Sequence, residues 1–310
     1  ATTEIYTLSL HDALRSTRSL IMSIGNRLKI AICGKSGLVG SKIEEFFNPK
    51  HNEIVGLKIR EDTTIESIAQ TIENSDIVIN LSGTTILARW SEEYKEKLYS
   101  SRIDTTKKLV DVMRECSSRP KLFLSASAVG IYDSVHSHND DSNNYAHDFL
   151  AHVCMDWETQ AKKAQDLGIR SVQMRFGVIY AKKGGAMDKI LPPFKMGVGG
   201  KLGSGEQIVS WIHIDDLIRA VEFIVKNPDI EGSVNFTSPY PISNLEQTEI
   251  LGKILKRPTF FQVPSFMIKL IFGEGSTVML DSKEVYPTKL LEHGFVFNYE
   301  RFEDALKSIV

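Results

Sequence analysis

Cysteine is scarce in this chain: Cys33, Cys116 and Cys154 are the only three in 310 residues, far apart and without CxxC spacing. That excludes a disulfide framework and a ribbon-type zinc site, and it suits a reducing compartment, so a cytoplasmic location and no metal are expected. Long apolar runs are also missing, none approaching the roughly 18 residues that a membrane span requires. Nor is there an excess of either charge. Thirty-seven Lys and Arg face 39 Asp and Glu, a formal net charge of -2, and they are scattered along the sequence. The scatter offers no electrostatic footprint for nucleic acid or an anionic membrane, which leaves a small-molecule substrate as the expected partner. What the chain does have is a globular composition, 42% hydrophobic and 25% charged. A chain of this length buries roughly three quarters of the surface it exposes unfolded, enough for one large or two modest units.

Residues 1–21 stand apart. Arg15, Arg18 and several hydroxyl residues suggest an organelle transit peptide, while Glu4 and Asp12 argue against one. The expectation is a non-native or unstructured leader ahead of Met22, with organelle import following if the segment is native.

From Met22 short apolar runs alternate with helical spacing. Runs at 28–33, 53–57, 76–81, 121–125, 170–174 and 233–237 suit buried parallel strands. Helical patterns occupy 38–47, 64–73, 91–116, 148–167 and 215–226. This alternation predicts an α/β fold, a doubly wound, Rossmann-type parallel sheet, over residues 22–238. Residues 181–207 carry seven glycines and two prolines, and they are expected to be a glycine-rich substrate loop without regular structure. After Pro239 helices at 243–256, 264–272 and 301–309 predict a smaller, mostly helical C-terminal domain over 239–310.

Residues 33–40 read CGKSGLVG, placing Gly34, Gly37 and Gly40 between the first strand and first helix. The chemistry of a dinucleotide site asks for three glycines there: one for the tight turn, one for backbone approach to a pyrophosphate, one for close helix packing. The helix N-terminus then offers unpaired N–H groups and the positive end of its dipole. A phosphate-binding NTPase loop is excluded, because the glycine it needs is replaced by Lys29. After the second strand Lys58 and Arg60 precede Glu61 and Asp62. A basic residue in that place favours NADP(H) over NAD(H).

Several segments together, CGKSGLVG, INLSGTTI, SASAVGIY, GGKLGSGEQIVSWIHIDDL and the tail through PTKLLEHGFVF, resemble the extended branch of the short-chain dehydrogenase/reductase superfamily. Within it they resemble sugar-nucleotide epimerase-like proteins that carry a small C-terminal domain of unknown function. The resemblance implies a nicotinamide dinucleotide across the carboxyl edge of the sheet. Gly34, Lys35, Ser36, Gly37, Leu38 and Val39 would hold its pyrophosphate, and Leu81, Ser82 and Gly83 would line the adenosine ribose. The stretch between Gly40 and Asp76 is short for the family, as though a strand-helix segment were trimmed. That family uses a tyrosine and a lysine spaced YxxxK, one helical turn apart, with a strand-end serine. Here Leu150 and Cys154 fall where that pair would stand, and only Ser127 matches. Tyr132 and Cys154 are therefore the substitute candidates for proton transfer, beside Ser127. Arg89, Arg102 and His213 are candidates for substrate contact. All but Arg89 have a plainer reading: Ser127 as a turn hydroxyl that satisfies local backbone, Tyr132 and Cys154 as packing residues, Arg102 as a salt-bridged helix residue, His213 as a satisfied structural histidine.

Two functions remain open on sequence: an NAD(P)-dependent oxidoreductase or epimerase-like enzyme acting on a small carbonyl or sugar-nucleotide-like compound, and a catalytically weak NADP(H)-binding sensor or scaffold.

Overall fold

The computed structural model describes residues 27–59 and 63–310. The leader 1–21 and Arg60 therefore lie outside the described residues.

Six parallel strands form the central sheet: β1 (Lys29–Cys33), β2 (Glu53–Leu57), β3 (Ile77–Asn80), β4 (Leu122–Ala128), β5 (Arg170–Phe176) and β6 (Gly232–Phe236). Their order is β6-β5-β4-β3-β1-β2. Helices α1 (Leu38–Phe47), α2 (Ile65–Ile72), α3 (Glu92–Glu115) and α4 (Phe149–Lys162) join the first five strands. Among the described residues only β2 lies outside β1, where the classic order has two strands, which is the trimming that the short Gly40–Asp76 stretch suggests. The chain reverses direction across the sheet between β1 and β3, and the crevice at their carboxyl ends is where ligands of open α/β sheets bind.

Both faces of the sheet are buried, which is why its strands read as apolar runs rather than alternations. Ile30, Ile32, Ile79, Leu124, Val172 and Phe236 pack on one face, and Ala31, Cys33, Val78 and Phe123 on the other.

The stretch 181–207 departs from the loop expected of it: α5 (Met187–Lys195) runs through it, with Pro192 and Pro193 inside. Each proline removes an N–H donor, a strong signal against helix. Burial of Met187, Leu191 and Phe194 at helical spacing outweighs that signal. Helix α6 (Ile214–Lys226) precedes β6, and α7 (Asn244–Leu255) and α8 (Ser265–Phe272) follow it. The C-terminal elements are tied back by strand pairs: Phe261–Val263 lies parallel to Gly200–Leu202, and Glu284–Val285 parallel to Ser137–His138. The terminal helix Phe302–Ile309 packs Phe302 and Leu306 with Tyr180, Leu191 and Trp211. Among the described residues no helix is long and apolar enough to cross a membrane.

Candidate functional site

The turn after β1 is built as its three glycines require. Gly34 has φ of +83°, a conformation that L side chains seldom adopt, and a Cβ there would stand 2.9 Å from the Leu81 carbonyl oxygen. A Cβ on Gly40 would stand 2.4 Å from the Gly34 oxygen and 2.8 Å from Lys35 Cα, so the helix packs directly on the turn. Helices α2, α3, α4 and α6 each have a side-chain cap, from Thr64, Ser91, Asp148 and His213. Helix α1 begins at Gly37 with no side-chain cap and no acidic residue in its first turn. Its leading N–H groups are left for an external anion, and the glycines leave room for one to reach them. The donor set fits a dinucleotide diphosphate.

Beside this turn, Leu81 N–H donates to the Cys33 carbonyl at 2.9 Å. Ser82 Oγ donates to Asn80 Oδ1 at 2.5 Å, and the Asn80 amide donates to Thr106 Oγ1 at 2.7 Å. Arg102 donates to the carbonyls of Thr84 at 2.8 Å and Leu98 at 3.0 Å. Its guanidinium abuts Gly83 and lies over the Trp157 ring, pinning the loop after β3. Arg89 reaches instead to the Leu270 carbonyl at 2.6 Å.

At the far side of the turn a cavity of about 510 Å³ opens between β2 and α2, lined by Gly56, Lys58, Thr64, Ser67 and Thr71 among others. Lys35 stretches over Gly56 toward it and pairs with Glu44 at 2.7 Å. Lys58 is exposed at its rim.

Ser127, Tyr132 and Cys154 are brought together, but inward. Ser127, Arg175 and Asn235 stand in register across β4, β5 and β6, on the face covered by α4. Ser127 Oγ donates to Glu158 Oε1 at 2.7 Å, and Arg175 grips the same carboxylate at 2.7 and 2.8 Å. Arg175 also donates to the Tyr132 hydroxyl at 2.6 Å and to that of Tyr145 at 3.2 Å. The Tyr132 hydroxyl lies 2.9 Å from both Asn235 Oδ1 and the Asn139 carbonyl. Asp140 accepts from the backbone N–H of Asn235 at 2.6 Å and of Lys289 at 2.8 Å. Burial alone would raise Glu158, but the hydrogen bonds and charge of Arg175 outweigh it and hold the carboxyl below its ordinary value. Burial pushes Tyr132 up to about 12 and Cys154 up to about 12. Both stay protonated at neutral pH. Cys154 packs with Val129, Ile131 and Val285, and Leu150 lies against Gly130.

The Glu158–Arg175 pair and its partners Asn235 and Asp140 are absent from the sequence-based candidates. A signal for them exists: Ser125 and Ser127, Gln173 and Arg175, and Ser233 and Asn235 alternate as polar residues along three otherwise apolar strands.

His213 caps α6, its Nδ1 accepting from Asp215 N–H at 3.2 Å, while Nε2 meets Ser308 Oγ at 3.2 Å and the Tyr299 ring lies against the imidazole at a 40° tilt. Burial lowers its pKa, against the opposing charges of Asp215 and Asp216. A folded-state pKa below the unfolded 6.5 means the unfolded chain takes up the proton first, so His213 costs stability as pH falls below 6.5. His213→Asn, which keeps a capping oxygen, is expected to flatten the decline of the thermal midpoint below that pH, measured by circular dichroism in a pH series.

A second, polar cavity of about 310 Å³ lies between Leu202–Gln207 and the C-terminal elements, lined in part by Ser204, Ser265, Lys269, Ser276 and Asp281.

The model of the NAD dependent epimerase/dehydratase family matches residues 30–236, and that of a domain of unknown function, DUF1731, matches residues 263–309. The chain is 39% identical over 273 residues to the chloroplastic epimerase family protein SDR39U1 homolog of Arabidopsis thaliana, covering 87% of this chain and 77% of that protein. It is 35% identical to epimerase family protein SH2119 of Staphylococcus haemolyticus, covering 90% of this chain and 98% of that one. Among solved structures, human epimerase family protein SDR39U1 (isoform 2) with NADPH superposes with a TM-score of 0.84 at 27% identity, over 91% of this chain and 99% of that one. With its glycine turn and parallel sheet inside the matched residues 30–236, this chain belongs to the NAD dependent epimerase/dehydratase family.

Proposed function

We propose that the chain binds NADPH along the carboxyl edge of the sheet and reduces a small carbonyl compound with water as the proton source. The observation that carries this reading is the uncapped N-terminus of α1 behind Gly34, Gly37 and Gly40. The N–H groups of Lys35, Ser36, Leu38 and Val39 hold the diphosphate, the Gly37 N–H being donated to the Gly34 carbonyl; Leu81 to Gly83 line the ribose, and the cavity between β2 and α2 takes the adenosine end. Lys58 and Lys35 meet the 2′-phosphate there. The human relative solved with NADPH supports that choice of coenzyme. When bound, the coenzyme supplies a hydride; NADPH, a proton and the carbonyl give NADP+ and the alcohol. The polar cavity lined by Ser204, Ser265, Lys269 and Asp281 receives the acceptor.

Water is the proton source because the chain's own candidates are engaged elsewhere. Ser127 donates its hydrogen bond to Glu158, the buried Tyr132 hydroxyl is held by Arg175, Asn235 and the Asn139 carbonyl, and Cys154 is enclosed in a hydrophobic cluster. That same burial favours a second reading, an NADPH-binding sensor or scaffold. Incubating the protein with NADPH and a panel of small carbonyl compounds, followed by absorbance, separates the two: turnover that survives Tyr132→Phe supports the first, and no turnover with any carbonyl supports the second.

The coenzyme assignment is tested by Lys35→Ala and Lys58→Ala. A hydrogen bond to a charged group contributes about 1.5–3 kcal/mol, so each variant is expected to weaken NADPH binding by roughly 10- to 100-fold in titration calorimetry. NADH binding should not change, since it lacks the 2′-phosphate. Equal loss for both coenzymes would refute the assignment.

A further inference from the structure

The fold gathers what the sequence scatters. Strand Phe261–Val263 lies beside Gly200–Leu202, with Phe261 in register with Gly200, and Pro258 lies 3.8 Å from where a Cβ on Gly197 would stand. The strand leads through Pro264 directly into α8. Residues 195–201, 256–263 and α8 thus form one continuous face. It exposes Met196, Val198, Phe260, Phe266, Leu270 and Ile271, with Phe260 79% and Leu270 71% accessible. The rings of Phe260 and Phe261 lie 4.7 Å apart. Scattered single hydrophobics are ordinary on a protein surface, whereas large apolar side chains gathered on one face mark an interaction site. The same two sequence segments, 195–201 and 256–272, contain Lys195, Lys201, Lys256, Arg257 and Lys269 and not one Asp or Glu. The next carboxylate along the chain, Glu274, is paired with Lys95.

We propose that this face docks on the surface of an anionic lipid bilayer, with the Phe260, Phe266, Leu270 and Ile271 side chains entering the headgroup boundary and Lys195, Lys201, Lys256 and Arg257 meeting lipid phosphates, while Lys269 faces the polar cavity beside Asp281. Charge complementarity selects this occupant. A second copy of the chain, meeting the first through the same patch, would bring like charges together. Protein interfaces are depleted in lysine, whereas anionic lipid attracts it. Large apolar side chains rimmed by lysine and arginine are the composition of interfacial membrane anchors. The docking needs no spanning segment, and the two segments lie too far apart in the chain for a sequence-level charge scan to join them.

Cosedimentation of the full chain with vesicles tests the proposal. Vesicles of phosphatidylcholine containing phosphatidylglycerol should carry the protein down at low ionic strength, and vesicles of pure phosphatidylcholine should carry much less. The Lys256→Glu/Arg257→Glu variant should bind the anionic vesicles at least about 25-fold more weakly, at roughly fivefold per cation removed. Phe260→Ser/Leu270→Ser should lose about tenfold or more. Because these side chains are exposed, the thermal midpoints should match the wild type, which separates lost docking from lost folding. Absence of binding to anionic vesicles, equal binding to both vesicle types, or a dimer in sedimentation velocity that the same substitutions split would overturn the proposal. None of these outcomes depends on whether NADPH binds.

Discussion

Gly40→Ala is expected to abolish measurable NADPH binding and to destabilise the fold, although alanine is the better helix former. The added methyl would stand 2.4 Å from the Gly34 carbonyl oxygen and 2.8 Å from Lys35 Cα. Both are backbone atoms, so relief requires moving the turn itself. Gly34 cannot yield toward the sheet, because the Leu81 backbone closes that side. Overpacking of this kind costs about 1–3 kcal/mol, against the roughly 1 kcal/mol that alanine gains over glycine in a helix interior. The larger consequence is for binding. A turn displaced from α1 no longer aims its N–H groups at one point, and a loss of at least about 100-fold in NADPH affinity is expected by calorimetry. Unchanged affinity in a folded variant would show that the diphosphate is held elsewhere.

The second large effect is expected at Arg175. Arg175→Met strips Glu158 of its bidentate partner and leaves a carboxylate with Ser127, Ser233 and a distant Lys162. Removing one member of a buried ion pair costs about 3–5 kcal/mol. The double variant Arg175→Met/Glu158→Gln should cost less than the sum of the two single changes, because no buried charge is then left without its partner. The pH response gives a sharper sign. In the wild type the Glu158 pKa lies below its unfolded value of 4.5, so its contribution is present above pH 4.5 and is lost as the pH falls through the folded value. Without Arg175 the burial that remains raises the pKa instead. The variant should then gain stability on mild acidification, while the wild type does not. Urea denaturation across an acidic pH series reads both slopes, and parallel slopes would mean that Arg175 does not govern Glu158.

Much of this fold could be read from the sequence for one physical reason. A parallel sheet covered on both faces turns its strands into short apolar runs, as LKIAIC and DIVINL show, and its helices keep amphipathic spacing. The glycine turn was equally legible, since few other structures ask for Gly34, Gly37 and Gly40 between a strand and a helix. Helix α5 was hidden because Pro192, Pro193 and the nearby glycines argue locally against a helix that only tertiary burial of Met187, Leu191 and Phe194 sustains. The Glu158–Arg175 network was hidden differently. Arg175 stands in a strand, Glu158 on a helix and Asp140 in a loop, and only the register of β4, β5 and β6 brings their partners into line. Sequence spacing along α4 drew attention to the absence of the tyrosine and lysine pair. It could not tell that Ser127, Tyr132 and Cys154 are directed into the protein rather than toward the cleft. The exposed face at α8 was concealed by the distance between its two segments.

The most direct measurement is a crystal structure of the protein grown with NADPH. Density for the diphosphate is expected within hydrogen-bonding distance of the N–H groups of Ser36, Leu38 and Val39, with the 2′-phosphate beside Lys35 and Lys58. A diphosphate bound away from α1, or a coenzyme-free turn in crystals whose protein also gives no heat of NADPH binding in solution, would contradict this placement.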